Sequence, residues 1–215
     1  MQQPGIIVEG RSHDNSSGGQ RGAQRFNLLI RTAKLVCETG EFLCVIRDVS
    51  ATGVRLKLFH RLPVDRHLAL ELGNGEVYFV ERVWDSDGHA GFRFAAPIDV
   101  QAFIAEVSPF PRRPARLRMG IAASVTALAV SADALIRDLS QRGAGIETGR
   151  LLAKGQPVTL DAPGLPQIVA RVAWRNGRFY GLAFERVFTL EELARLSVAL
   201  QMPGTRASLR AASCA

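Results

Sequence analysis

The stretch IRDVSATG (Ile46–Gly53) returns ninety residues later as IRDLSQRG (Ile136–Gly143). In that register Arg47 falls on Arg137, Asp48 on Asp138, Ser50 on Ser140 and Gly53 on Gly143. The match runs on downstream, where Trp84, Gly91 and Phe94 meet Trp174, Gly181 and Phe184. Identities held at one offset over so long a span identify a unit written twice, with too few copies for a solenoid. Upstream the offset grows by one, because Arg21 and Arg25 match Arg112 and Arg116. The first unit therefore carries one extra residue between its arginine pair and its aspartate, which we place in a hairpin.

Inside each unit the signals are those of antiparallel strands. AKLVCETGEFLCVIRDVS (33–50) has β-branched and aromatic residues on both sides of a Thr-Gly-Glu turn, and LALELGNGEVYFVERVW (68–84) brackets Gly-Asn-Gly. Asp87-Gly88 and Asn176-Gly177 are tight-turn dipeptides. Each unit closes on a helical pattern. In the second, Thr189 and Glu192 form a capping box and Leu193, Leu196 and Leu200 share a face. In the first, Asp99 caps a helix with an inward stripe of Val100, Phe103, Ile104 and Val107. The expected fold is mainly β: two small antiparallel barrels, each followed by an α-helix, since closure removes exposed sheet edges. The expected divisions are a disordered tail over 1–20, a first unit over 21–107, a Pro/Arg-rich linker and arginine arm over 108–118, a second unit over 112–201, and a disordered tail over 202–215.

With 27 Lys and Arg against 20 Asp and Glu, the chain carries a net charge of +7, which favours a polyanionic partner. The N-terminus lacks the basic start and apolar core of a secretory signal, and the most apolar stretch, Gly120–Ile136, is short of a membrane span and reads as strands. A cytoplasmic location without a membrane span is expected. Three cysteines make neither a disulfide framework nor a zinc site. Cys37 and Cys44 would face each other if Gly40 and Glu41 formed the turn, but buried, reduced cysteine is the expectation. The four histidines are scattered, and no triad, metal cage or phosphate loop supports catalysis.

Each unit thus offers Arg-x-x-x-Arg, then Asp-x-Ser-x-x-Gly 22 or 23 residues later. Arginine's planar fork grips phosphate, donates to guanine and stacks on bases. A carboxylate repels phosphate, yet it can accept both N1–H and N2–H2 from guanine. Serine adds a small polar partner, and glycine permits close backbone approach. The set describes a guanine nucleotide pocket. As a bare turn, with Asp and Ser bonding their own backbone, the motif would carry no ligand. Its repetition behind upstream arginines favours the pocket.

Taken together these motifs resemble the PilZ domain, a bacterial receptor module for cyclic di-GMP. The resemblance covers roughly residues 20–107 and 110–201. It implies two six-stranded antiparallel barrels and a non-enzymatic receptor without cofactors. It also implies ligand-binding roles for Arg21, Arg25, Asp48, Ser50 and Gly53, and for Arg112, Arg113, Arg116, Asp138, Ser140 and Gly143. The arginines would hold phosphates and guanine faces, while Asp and Ser contact a guanine. Gln20 and Pro111 depart from the family, standing where many members carry a further basic residue; Arg113 substitutes for that charge in the second unit. A protein partner in motility, secretion or polysaccharide synthesis would receive the signal. Two alternatives are a PilZ-like interaction module that no longer binds ligand, and nonspecific nucleic-acid binding, which the intact Asp-x-Ser-x-x-Gly motifs disfavour. Trp84 and Trp174 read as core packing, and Arg118 as a solvated linker residue.

Overall fold

The computed structural model describes residues 26–61, 67–109 and 114–201, with side chains from residue 31 onward. The expected tails, and the linker residues 110–113, lie outside these segments. The first half contains β1 (Phe26–Cys37), β2 (Gly40–Val49), β3 (Gly53–Leu58), β4 (His67–Glu71), β5 (Val77–Ser86), β6 (His89–Phe94) and α1 (Val100–Ala105). The second contains β7 (Leu117–Ala127), β8 (Val130–Ser140), β9 (Gly143–Thr148), β10 (Pro157–Asp161), β11 (Ile168–Asn176), β12 (Phe179–Phe184) and α2 (Leu190–Gln201). Each set of six strands closes into an antiparallel barrel, ordered β1-β2-β3-β6-β5-β4 and β7-β8-β9-β12-β11-β10. Two closed antiparallel barrels, each followed by a helix, are the architecture the repeat and its turn signals predict, and six strands in each is the number the family resemblance implies.

The extra residue of the first unit does not lie in a hairpin. The β1–β2 and β7–β8 turns are equivalent, with Cys37 opposite Gly40 and Ala127 opposite Val130. The insertion widens a β-bulge instead. Pairing jumps from Asn27↔Asp48 to Arg31↔Ile46 in the first barrel and from Arg118↔Asp138 to Ile121↔Ile136 in the second. Three residues bulge in β1 where two bulge in β7. A bulge absorbs an added residue by bending one strand, so the register on either side survives.

Other expectations also shift. The turn after β1 is Glu38-Thr39, so Cys37 pairs with Gly40 and Cys44 with Ala33 across the ladder. The two cysteines therefore do not face each other. Cys44 is buried, and that burial pushes its thiol pKa up. In the second barrel the turn centres on Gly177-Arg178, with Asn176 the last residue of β11 opposite Phe179. Gly177 takes a φ of +61°, as the first central residue of a primed hairpin turn does. In α1 the Asp99 carboxylate accepts from the amides of Gln101 and Ala102 at 2.8 and 3.1 Å, and Phe103 is buried. Glu106 then turns left-handed at φ 43°, which leaves Val107 81% exposed and outside the inward stripe. In α2 the capping box forms: Glu192 N donates to Thr189 Oγ1 at 3.2 Å and Thr189 N to Glu192 Oε2 at 2.8 Å.

The two barrels are not beads on a string. Glu41 to Ile46 are buried without interruption in β2, the mark of a strand covered on both faces. Cys44 and Ile46 belong to the first barrel's core, whereas Leu43 joins the core of the second, with Phe59 packed against it. Helix α2 lies against β2 and β7. Its last residue, Gln201, donates from Nε2 to the Glu41 carbonyl at 2.8 Å and accepts from Glu41 N at 2.9 Å.

Candidate functional site

Three strand irregularities recur in both barrels and set the geometry. One lies in β1 and its equivalent β7; the second skips Arg47 in β2 and Arg137 in β8; the third skips Val83 in β5 and Ala173 in β11. Directly after the second and third, one row of residues crosses four adjacent strands. In the first barrel it runs Asp48↔Arg55↔Gly91↔Trp84. In the second it runs Asp138↔Gly145↔Gly181↔Trp174. Bulges re-aim the side chains beside them, and here they bring a carboxylate and an indole onto the same outer face of each barrel.

The tryptophans are not core residues, contrary to the sequence expectation. Trp84 is 44% and Trp174 46% exposed, and each indole lies across the glycine of the neighbouring strand. A Cβ on Gly91 or Gly181 would overlap the indole, with Cδ1 at 2.8 and 2.6 Å respectively. In the first barrel, Trp84 lines a pocket of about 230 Å³ together with Asp48, Ser50, Gly53, Arg55 and Gly91. The aromatic wall is thus part of the motif's surroundings, and the pairing of Trp with Gly at one offset in both units was its sequence signal.

The serines and glycines of the motif serve the turn. Ser50 Oγ donates to the Gly53 carbonyl at 3.2 Å, and Ser140 Oγ to that of Gly143 at 3.0 Å. Both serines are buried. A Cβ on Gly53 would stand 2.7 Å from the Phe92 carbonyl oxygen, and one on Gly143 would collide with that of Leu182. The bare backbone at both places is required by the neighbouring strand. Serine and glycine together fix the β2–β3 and β8–β9 turns, and they position the aspartates.

The aspartates find arginines, but from different places. Asp138 Oδ1 accepts from Arg116 Nη1 at 2.5 Å, so the arm arginine reaches the barrel motif. Asp48 is held by Arg55 Nε, a residue of its own barrel. At the place of Arg55 the second barrel has Gly145, where a Cβ would stand 2.9 Å from Asp138 Cγ. Arg21, Arg25, Arg112 and Arg113 lie outside the described residues.

Arg118 is a strand residue and not a solvated linker. Its backbone N and its Nε donate to the Glu41 carboxylate at 2.9 and 2.6 Å. Lys34 adds ion pairs to Glu41 at 3.2 Å and to Glu71 at 2.8 Å. Burial raises the Glu41 pKa, but the Arg118 amide and guanidinium and the Lys34 ammonium outweigh it and hold the carboxyl below its usual value. Because Arg118 is opposite Asp138, the seam between the barrels begins two residues from the Arg116–Asp138 contact. No group of three or more potential metal ligands occurs among the described residues, and no described helix is long and apolar enough to cross a membrane.

Residues 110–199 match the PilZ domain. No curated protein matches the chain. Solved structures with which it shares similarity include the Borreliella burgdorferi PlzA protein in complex with c-di-GMP (13% identity, TM-score 0.32, 82% of this chain and 92% of that one). The Bacillus subtilis inhibitor of motility MotI/DgrA is 13% identical, with a TM-score of 0.33 over 85% of this chain and 98% of that one. Escherichia coli YcgR in complex with c-di-GMP is 12% identical, with a TM-score of 0.31 over 85% and 88%. That match makes residues 110–199 a PilZ domain, and the first barrel repeats its strand order.

Proposed function

We propose that the protein is a non-enzymatic receptor for cyclic di-GMP, and that ligand capture alters how the two barrels sit against each other and so signals to a protein partner. The observation that carries this reading is the Arg116–Asp138 contact, inside the half that matches the PilZ domain. An arm arginine already rests on the carboxylate that a guanine would use. Guanine N1–H and N2–H2 are donors, and Asp138 is an outward-facing acceptor beside the Trp174 indole. On binding, guanine takes the carboxylate, and Arg116 turns to the ligand's phosphates with Arg112 and Arg113. That exchange is favourable because one charge-assisted pair is replaced by another while a second anion is gained.

The relay follows from chain connectivity. Arg118 holds Glu41 of the first barrel, so displacement of Arg116 acts on the start of β7, where the seam is anchored. The ligand shifts the arrangement only by its differential affinity for the two states. Isothermal titration with cyclic di-GMP tests the reading, combined with energy transfer between dyes on the two barrels. Heat together with a change in transfer efficiency supports it. Absence of heat from the wild type sinks the receptor reading, and heat without a change in transfer sinks the relay.

A further inference from the structure

The two Asp–Gly–Trp rows are superposable in register and differ in one member, Arg55 against Gly145. The geometry points to Arg55 as a resident occupant of the first barrel's guanine site, so that the second barrel is the one open to ligand. This rests on the receptor reading above and assigns that function to one of the two copies.

Three observations carry it. First, Arg55 is bonded through Nε to Asp48 Oδ2, the acceptor that guanine needs. Second, the Asp48 side chain is 14% exposed, against 27% for Asp138, so the carboxylate is more thoroughly covered where the arginine is built into the barrel. Third, Arg55 lines the pocket that also contains Asp48, Ser50 and Trp84, whereas at Gly145 the second barrel has a floor without a side chain. The two arginines also differ in tether. Arg116 precedes β7 and can leave Asp138 with the arm, gaining a phosphate as it goes. Arg55 is fixed in the middle of β3, directly opposite Asp48. A guanidinium held there competes with guanine for the same oxygen, and the charge-assisted bond it already makes must be broken before ligand enters.

The test titrates the full chain with cyclic di-GMP. Asp138→Ala is expected to weaken wild-type binding by about a hundredfold, since guanine's bonds to a charged acceptor are lost. Adding Arg55→Gly to Asp138→Ala is expected to recover at least about tenfold of that loss, and adding Asp48→Ala to the pair should remove the gain. Arg55→Ala serves as a second variant, with circular dichroism checking that each barrel remains folded. Two results overturn the assignment: wild-type affinity surviving in Asp138→Ala, or no recovery when either Arg55 substitution is added. If wild type and Arg55→Gly are both silent, the receptor reading fails and this inference with it. Binding by Arg55→Gly over a silent wild type would also overturn the assignment, because the second barrel would then not be open to ligand.

Discussion

The two barrels keep a common register across four strands but take the partner of the motif aspartate from different sources. In the second barrel it arrives on the approach segment as Arg116, and in the first it is supplied by strand β3 as Arg55. The scaffold is indifferent to the exchange, because the position faces outward and either residue leaves the ladder intact. What changes is attachment. Arg116 stands just before β7, outside the ladder, while Arg55 is paired within β3. One strand residue can therefore take up the motif aspartate without disturbing the fold that displays it.

That contrast can be broken most directly at the arms. Arg112→Ala/Arg116→Ala should weaken cyclic di-GMP binding by at least about a hundredfold, since two charge-assisted contacts of ~1.5–3 kcal/mol each are removed. Arg21→Ala/Arg25→Ala should cost only a few-fold, about 1 kcal/mol or less; equal losses in calorimetry would erase the asymmetry. The next largest effect is expected at the seam. Glu41→Ala should lower stability by about 2 kcal/mol in denaturant unfolding. This is less than the ~3–5 kcal/mol of a fully buried broken pair, because Lys34 keeps Glu71 and Arg118 is 74% exposed. Thr189→Ala should cost about 1 kcal/mol through loss of the α2 cap, and Asp99→Ala a similar amount at α1. A markedly larger effect at Thr189 would show that α2 supports both barrels through its end. The smallest effect is with pH. The folded pKa of Glu41 is depressed, so its stabilisation is fully present above the ordinary value of 4.5 and is lost as pH falls through the lower folded value. Glu41→Gln should flatten that part of the stability profile; an unchanged profile would place the acid sensitivity elsewhere.

The repeat made the architecture readable, because turn dipeptides and β-branched runs recur at one spacing and each local signal agrees with closure. Features that depend on a phase change were harder to read. Val83 and Trp84 are both exposed, although alternation along β5 would put one of them inside. The bulge at Val83 resets the period, and the same device moves Trp174 outward. The insertion was detectable as a change of offset, yet its place in β1 required the pairing. Arg118 reads as a linker residue because its partner, Glu41, lies 77 residues away in sequence, and no local pattern announces so distant a contact. The capping box and the Asp99 cap were legible because both are completed within a few residues. The motif aspartates read as acceptors, and in the structure they accept from arginines, whereas Ser50, Ser140, Gly53 and Gly143 hold the turns.

Leu43 has a practical implication for taking the molecule apart. Its side chain is fully buried, but the residues that bury it belong to the other barrel. A truncation between the halves would present that leucine to water and forfeit ~1.5–3 kcal/mol of burial, together with the Gln201 and Arg118 bonds to Glu41. Isolated halves would be poorer in stability than the sum suggests and prone to associate through the uncovered strand. Duplication here has left partners that have become each other's solvent shield, so the smallest faithful unit for biochemistry is the pair.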